Sequence, residues 1–172
     1  LGEPDKKLSL LNTPKQIKLH PHDFSGIKPK LLIKEGDKVL KGAPIFTDKI
    51  HPEIMFTSPI AGDIDEIIYG DRRRVDSIKI TASNQQDSIE FSPIKLEDLS
   101  ELSHDMIRDR LYESGLWPCI RRRPFSKIAE PNKLPKAIFI PAMSTAPFGP
   151  DFDFILEHDS TGFQAGINVL KQ

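Results

Sequence analysis

The feature that most limits what this chain can fold into is a turn pattern that occurs twice in quick succession. In IKEGDKVLKGAPIF, residues 33–46, Gly36-Asp37 closes a tight turn after one strand, Val39 turns inward and Gly42 makes the next turn. In SPIAGDIDEI, residues 58–67, Pro59 to Gly62 repeats the turn chemistry. Every apolar run around these turns is short: KQIKLHP, KLLIKEG, APIFTD, IMFTSP, DIDEIIYG and SIKITAS. Gly, Pro or Asp punctuates most of them. Prolines 14, 21, 29, 44, 52 and 59 fall at strand ends or turns, where a missing N–H does least harm. Residues 15–82 therefore read as many closely spaced short strands, which means a small all-β sandwich or barrel.

Two halves of this kind resemble the biotinyl/lipoyl-like fold, a flattened barrel-sandwich, over roughly residues 28–82. In the carrier families of that fold the modified lysine sits at the tip of the hairpin midway between the halves. Here the midpoint between Gly42 and Gly62 is Pro52, and Lys49 falls three residues short of it. Ile50-His51-Pro52-Glu53 makes the better turn, because proline presets the backbone there. Lys49 is thereby placed on the strand leading into the turn, without the methionine neighbour of the biotinyl type. Two readings stand: a solvated strand-end lysine on a carrier-like scaffold, with no covalent lipoyl or biotin, or a carrier domain modified at Lys49.

The composition shifts around 84–100, where NQQDS is polar and FSPIKLEDLSEL joins a proline to acids. The expected division is a β domain over 1–90, a linker over 91–102 and a second domain over 103–172. In the latter, SHDMIRDRLYESG reads as a helix. Ser103 caps it, Ile107 and Leu111 stack at i, i+4 beside Met106 and Tyr112, and Gly115 ends it in the left-handed conformation. LWPCIRRRPFSKIAEPNKLP is an irregular loop, KAIFIPA a buried-strand candidate and TGFQAGINVLKQ the start of a helix. Helix, loop, strand, loop, helix opens an α/β layer, so the fold class is α+β in more than one domain. The absence of a starting methionine and the stop within a helix-like run lead us to expect a piece of something longer.

The loop SGLWPCIRRRPFSKIAEP, then IFIPAMSTAPFGPD, together with KPKLLIKEGDKVLKGAPIFTDK, closely resembles the A-subunit family of the Na⁺-translocating NADH:quinone oxidoreductases. The resemblance keeps its order over almost the whole chain. It implies a β-rich barrel-sandwich followed by the start of a Rossmann-like α/β domain similar to the flavin subunit of complex I. It also implies a peripheral subunit on the cytoplasmic face of the bacterial inner membrane. Its partners there would be the other subunits of a complex that couples NADH oxidation by quinone (ubiquinone or menaquinone) to Na⁺ export. No tightly bound cofactor is implied for this subunit. The related C subunit of the Rnf complex is the alternative; such proteins carry a glycine-rich loop after the equivalent helix, which lets backbone N–H groups approach a flavin or nucleotide phosphate. Here no glycine occurs between Gly115 and Gly149, and Trp, Ile and Arg fill the segment. An FMN or NADH site is not expected in it.

A quinone site needs an apolar wall and one or two donors for the carbonyl oxygens. Trp117, Phe125 and Ile128 are candidates for the wall, Arg123, Ser126 and Lys127 for the donors, with Pro124 between them. The competing reading has Phe125 plugging the core and Lys127 simply exposed. Arg121–Arg123 and Arg72–Arg74 read as phosphate-binding or as solvated, partner-facing clusters. A net charge of −1 with few interleaved aromatics argues against nucleic acid. His20 and His22 flank Pro21 without an evident third ligand and read as a turn. Cys119 is the one cysteine, so no internal disulfide forms, and no zinc spacing, Gly-x-Ser-x-Gly or phosphate loop occurs. Asp151 and Asp153 read as caps. Nowhere do eighteen apolar residues run together, so this stretch is not expected to span a bilayer.

Overall fold

The computed structural model of the chain describes residues 5–147 and 149–172; the opening residues 1–4 of the expected first domain and Phe148 of the quoted Ala-Pro-Phe-Gly run lie outside them. Contacts divide the chain into two compact units. One holds Asn12–Ser92 and Asp105–Lys133. The other holds Pro93–His104 and Leu134–Gln172 with the described part of residues 1–11.

The first unit is built from β1 (Gln16–Leu19), β2 (Pro29–Leu31), β3 (Lys38–Val39), β4 (Pro44–Asp48), β5 (Met55–Thr57), β6 (Gly62–Tyr69) and β7 (Val75–Ala82). All pairings among them are antiparallel, in a four-stranded sheet ordered β1-β7-β6-β3 and a three-stranded sheet ordered β2-β4-β5. Gly36 and Gly42 both take φ of +85°, as the turn pattern requires. The apolar period of β6 carries its own irregularity. Ile64 and Ile67 are three residues apart, yet both are buried. The register against β7 shifts between Ile64 and Glu66, so one extra residue keeps both isoleucines on the inner face.

The core gathers Ile45, Phe46, Ile54, Phe56, Ile64, Ile78 and Ile80 between the sheets. Each fully buried isoleucine contributes about 1.5–3 kcal/mol from the area taken out of water. Phe46 pairs with Phe56 across β4 and β5, and their rings stack at 4.5 Å and 11°. Phe24 closes edge-on against Phe56 at 4.7 Å. At the end of this hairpin Ile54 N–H donates to His51 O at 3.1 Å, so Pro52 occupies the second position of the turn. The buried Asp48 carboxylate accepts from the backbone N–H groups of Lys28 (2.9 Å) and Ile50 (3.2 Å). Lys49 lies one residue past β4, exposed and ahead of the turn.

Helix α1 (His104–Glu113) belongs to the same unit from Asp105 onward. It ends where the sequence signals: Gly115 has φ of +72°, its N–H donates to Tyr112 O, and Leu116 N–H reaches back to Leu111 O at 3.1 Å. That reversal turns the chain onto β5 and sends Tyr112 and Trp117 into the β core, ring centroids 4.7 Å apart.

In the second unit a 3-10 turn at Leu96–Glu101 packs with α3 (Ser160–Leu170), and α2 (Phe152–Leu156) precedes it. Asp151 and Asp159 cap α2 and α3 by accepting from Phe154 N–H and Gly162 N–H. The buried strand expected at KAIFIPA does not form. That segment is neither helix nor strand, and Phe139 is 87% exposed. A buried strand needs neighbours to take its backbone N–H and C=O groups, and no described strand pairs with it.

Candidate functional site

The loop after α1 is more ordered than its composition suggests. A 3-10 turn at Trp117–Cys119 leads into a short hairpin, β8 (Arg121–Arg122) and β9 (Lys127–Ile128). Its two rungs are Arg121 opposite Ile128 and Arg122 opposite Lys127. The connection Arg123-Pro124-Phe125-Ser126 contains a cis peptide at Arg123–Pro124 and Ser126 at φ of +53°.

Two sets of contacts fix this hairpin, one to the β core and one to the segment that follows it. At its base Ala129 N–H donates to Ile120 O, and the Trp117 indole N–H donates to Ala129 O, both at 2.9 Å. Ile120, Ile128 and Ala129 pack against the core there. On the outer side the Glu130 carboxylate takes one cation on each oxygen: Arg122 on Oε1, and Lys133 on Oε2 at 2.6 Å. The hydrogen bonds from Lys133 and Arg122 hold the Glu130 carboxyl below its ordinary range.

The six candidate quinone contacts separate into two sets. Arg123, Pro124, Phe125, Ser126 and Lys127 sit together along the turn and the first residue of β9, all exposed. Phe125 does not plug the core; its ring is 77% exposed at the end of the hairpin. Trp117 lies apart from them. It is 8% exposed, its N–H is already satisfied, and it packs on Tyr112, whose hydroxyl burial pushes above the ordinary phenol range. In the structure, then, Trp117 supports the hairpin from within. Lys127 runs its aliphatic stem beside Gly26, where an added Cβ would meet the stem at 3.5–3.7 Å. The turn after β1 is thus brought beside the hairpin.

Sequence reasoning missed Glu130 and Gly26. Glu130 pairs with Arg122 only because the hairpin folds back, and a single acid after a basic run carries no signal of that register. Gly26 sits in a Ser-Gly pair far from Lys127 along the chain. His20 and His22 lie with ring centroids 5.3 Å apart, His20 meeting Asp76 O and His22 facing Asp23. Among the described residues no three His, Cys, Asp or Glu side chains are arranged to hold a metal ion.

Residues 1–83 match the family described as the NqrA N-terminal barrel-sandwich hybrid domain, and residues 102–172 match the NqrA second alpha/beta domain. The A subunit of a Na(+)-translocating NADH-quinone reductase from Pseudomonas aeruginosa is 34% identical over 169 residues, covering 98% of this chain and 38% of the relative. Its counterpart of the same name from Yersinia pseudotuberculosis is 38% identical over 156 residues, 91% of this chain and 35% of the relative. That from Tolumonas auensis is 33% identical over 171 residues, 99% of this chain and 38% of the relative. The chain therefore spans well under half the length of these relatives. With both domain matches in order and relatives similar along nearly its full length, the chain belongs to the NqrA family, the A subunits of Na⁺-translocating NADH-quinone reductases.

Proposed function

We propose that this chain works as the barrel-sandwich and opening α/β part of the NqrA component in a Na⁺-translocating NADH:quinone reductase. It would contribute to assembly and to quinone interaction while other subunits carry the redox groups. Along the sequence the family's two domains divide at 91–102, with residues 105–133 of the second packed in the same unit as the β strands; the chain holds no resident cofactor, and it lies peripherally on the cytoplasmic face of the inner membrane. In keeping with a peripheral place, no helix among the described residues is long and apolar enough to cross a membrane.

The observation that carries the quinone reading is the exposed Phe125 on a doubly anchored hairpin, flanked by the donors Arg123, Ser126 and Lys127. An aromatic ring beside guanidinium, hydroxyl and ammonium groups matches a planar quinone with two carbonyl oxygens. The decisive experiment is Phe125→Ala in the assembled complex. The loss of an anchoring ring raises KM for quinone roughly tenfold and weakens inhibitor-sensitive quinone reduction, with subunit stoichiometry intact. Unchanged kinetics remove Phe125 from the site. Reduced assembly with normal kinetics assigns the hairpin to docking alone.

A further inference from the structure

The hairpin carries far more positive charge than the chain as a whole. Arg121, Arg122, Arg123 and Lys127 fall within seven residues, in a protein of net charge −1. Only Arg122 is neutralised, by Glu130. Arg121, Arg123 and Lys127 have no carboxylate partner within the chain among the described residues. The turn beside the hairpin adds to them. The Lys127 stem lies where a Cβ on Gly26 would meet it, Lys28 follows two residues later, and Lys28 O accepts from the Lys49 N–H at 2.8 Å. Lys28 and Lys49 are also exposed and unpaired among the described residues. Of the acids in these turns, Asp48 is buried and accepts from two backbone N–H groups, Glu53 lies 3.6 Å from His51, and Asp23 is exposed 3.8 Å from His22. Among the described residues, Lys127, Lys28 and Lys49 are thus linked through the Gly26 turn without ion-pair partners; Arg123 and Phe125 are exposed at the hairpin turn, and Arg121 is exposed on the hairpin's other face, opposite Ile128.

We infer that this end of the β unit, centred on Arg121, Arg123, Phe125 and Lys127, rests on an anionic phospholipid surface. Guanidinium and ammonium groups without internal partners suit lipid phosphates, Arg by a bidentate fork and Lys as a point charge. A single exposed ring on a rigid hairpin suits the headgroup–acyl boundary, where aromatic side chains concentrate. The anchoring by Glu130 and Trp117 holds the ring outward, so little ordering is needed on contact. The inference draws on the family reading only for the presence of a bilayer, and it does not depend on quinone contact by Phe125. An acidic protein surface is the rival occupant.

The test is sedimentation of the purified chain with vesicles of equal parts phosphatidylglycerol and phosphatidylcholine, against vesicles of phosphatidylcholine alone. Binding is expected only to the anionic vesicles, and it weakens as salt shortens the reach of the charges. Each cation removed lowers partition roughly fivefold, so Arg121→Gln with Arg123→Gln lowers it about twenty-fivefold. The control Arg72→Gln with Arg73→Gln removes the same charge from the β6–β7 turn and is expected to leave binding within about twofold. Phe125→Ser lowers partition while leaving the salt slope unchanged. Equal binding to both vesicle types overturns the inference. So does an equal loss in the Arg72/Arg73 control, which would make the effect one of overall charge. So does no loss in the Arg121/Arg123 variant when circular dichroism shows both variants folded. A chain that ignores vesicles but is captured by the other subunits through Arg121 and Arg123 assigns the face to a protein and overturns it too. The Phe125→Ala kinetics in the complex bear on quinone alone, so either reading can fail without the other.

Discussion

Gly115 shows how much one residue decides. Its φ of +72° reverses the chain at the end of α1, and its bare Cα lets that reversal sit against β5. A Cβ placed there would lie 2.5 Å from Thr57 Oγ1 and 2.9 Å from Thr57 Cγ2. Gly115→Ala therefore combines an unfavourable dihedral with crowding and is expected to destabilise the β unit by about 2–3 kcal/mol. Urea unfolding reads this as a lower midpoint at unchanged slope. Pairing it with Thr57→Ala recovers the crowding share and not the dihedral share. The helix-stopping role of Gly115 is legible in sequence because it is local. Its contact with Thr57 is not, since nothing in either residue's neighbourhood points to the other. The same holds for Trp117 and Phe125. As letters they are equivalent wall candidates, yet one is 8% exposed and the other 77%.

Hairpin elements carry the next set of consequences. The β6–β7 turn places Arg72 and Arg73 at φ of +56° and +58°, with Arg74 N–H donating to Asp71 O at 3.2 Å. Two consecutive left-handed residues suit Asn-Gly, and arginine has a Cβ that crowds the carbonyl in this conformation. Arg72→Asn with Arg73→Gly is expected to stabilise the β unit by about 1 kcal/mol, seen as a rise of a few degrees in Tm. No change would mean that the turn adopts another conformation in solution. The β8–β9 hairpin is the opposite case. Two rungs alone do not make a stable ribbon, so its shape depends on Ile128 and Ala129 against the core and on the Arg122–Glu130–Lys133 cluster. Composition suggested an irregular loop because a two-residue strand has too short a period to see. The long strands β6 and β7, with their apolar repeats, were legible from the start.

At the scale of the whole molecule the two units are unequal. Every residue of the hydrophobic core lies in the unit of Asn12–Ser92 and Asp105–Lys133. The described residues of the other unit include none that is buried, although Leu134, Phe139 and Met143 are large and apolar. Limited proteolysis of this chain is accordingly expected to cut first within 134–147. A resistant product ending near Lys133 should remain, identified by mass. Survival of the 134–147 stretch alongside the β unit would show that it is covered in solution.

What the sequence determined by itself is what local chemistry can dictate. It set the run of short strands, the turns at Gly36, Gly42 and Pro52, the end of α1 at Gly115 and the cap at Asp151, whereas Asp153, also read as a cap, lies inside the first turn of α2. Its motif order also carried the family. Tertiary structure decided which apolar residues are inside. Tyr112 and Trp117 complete a core made by strands far earlier in the chain, Phe125 is left outside it, and Phe139 finds no partner strand. Turn and cap preferences act over a few neighbouring residues, so a sequence states them directly. Burial is a property of surfaces brought together from distant parts of the chain, and only the folded arrangement fixes it.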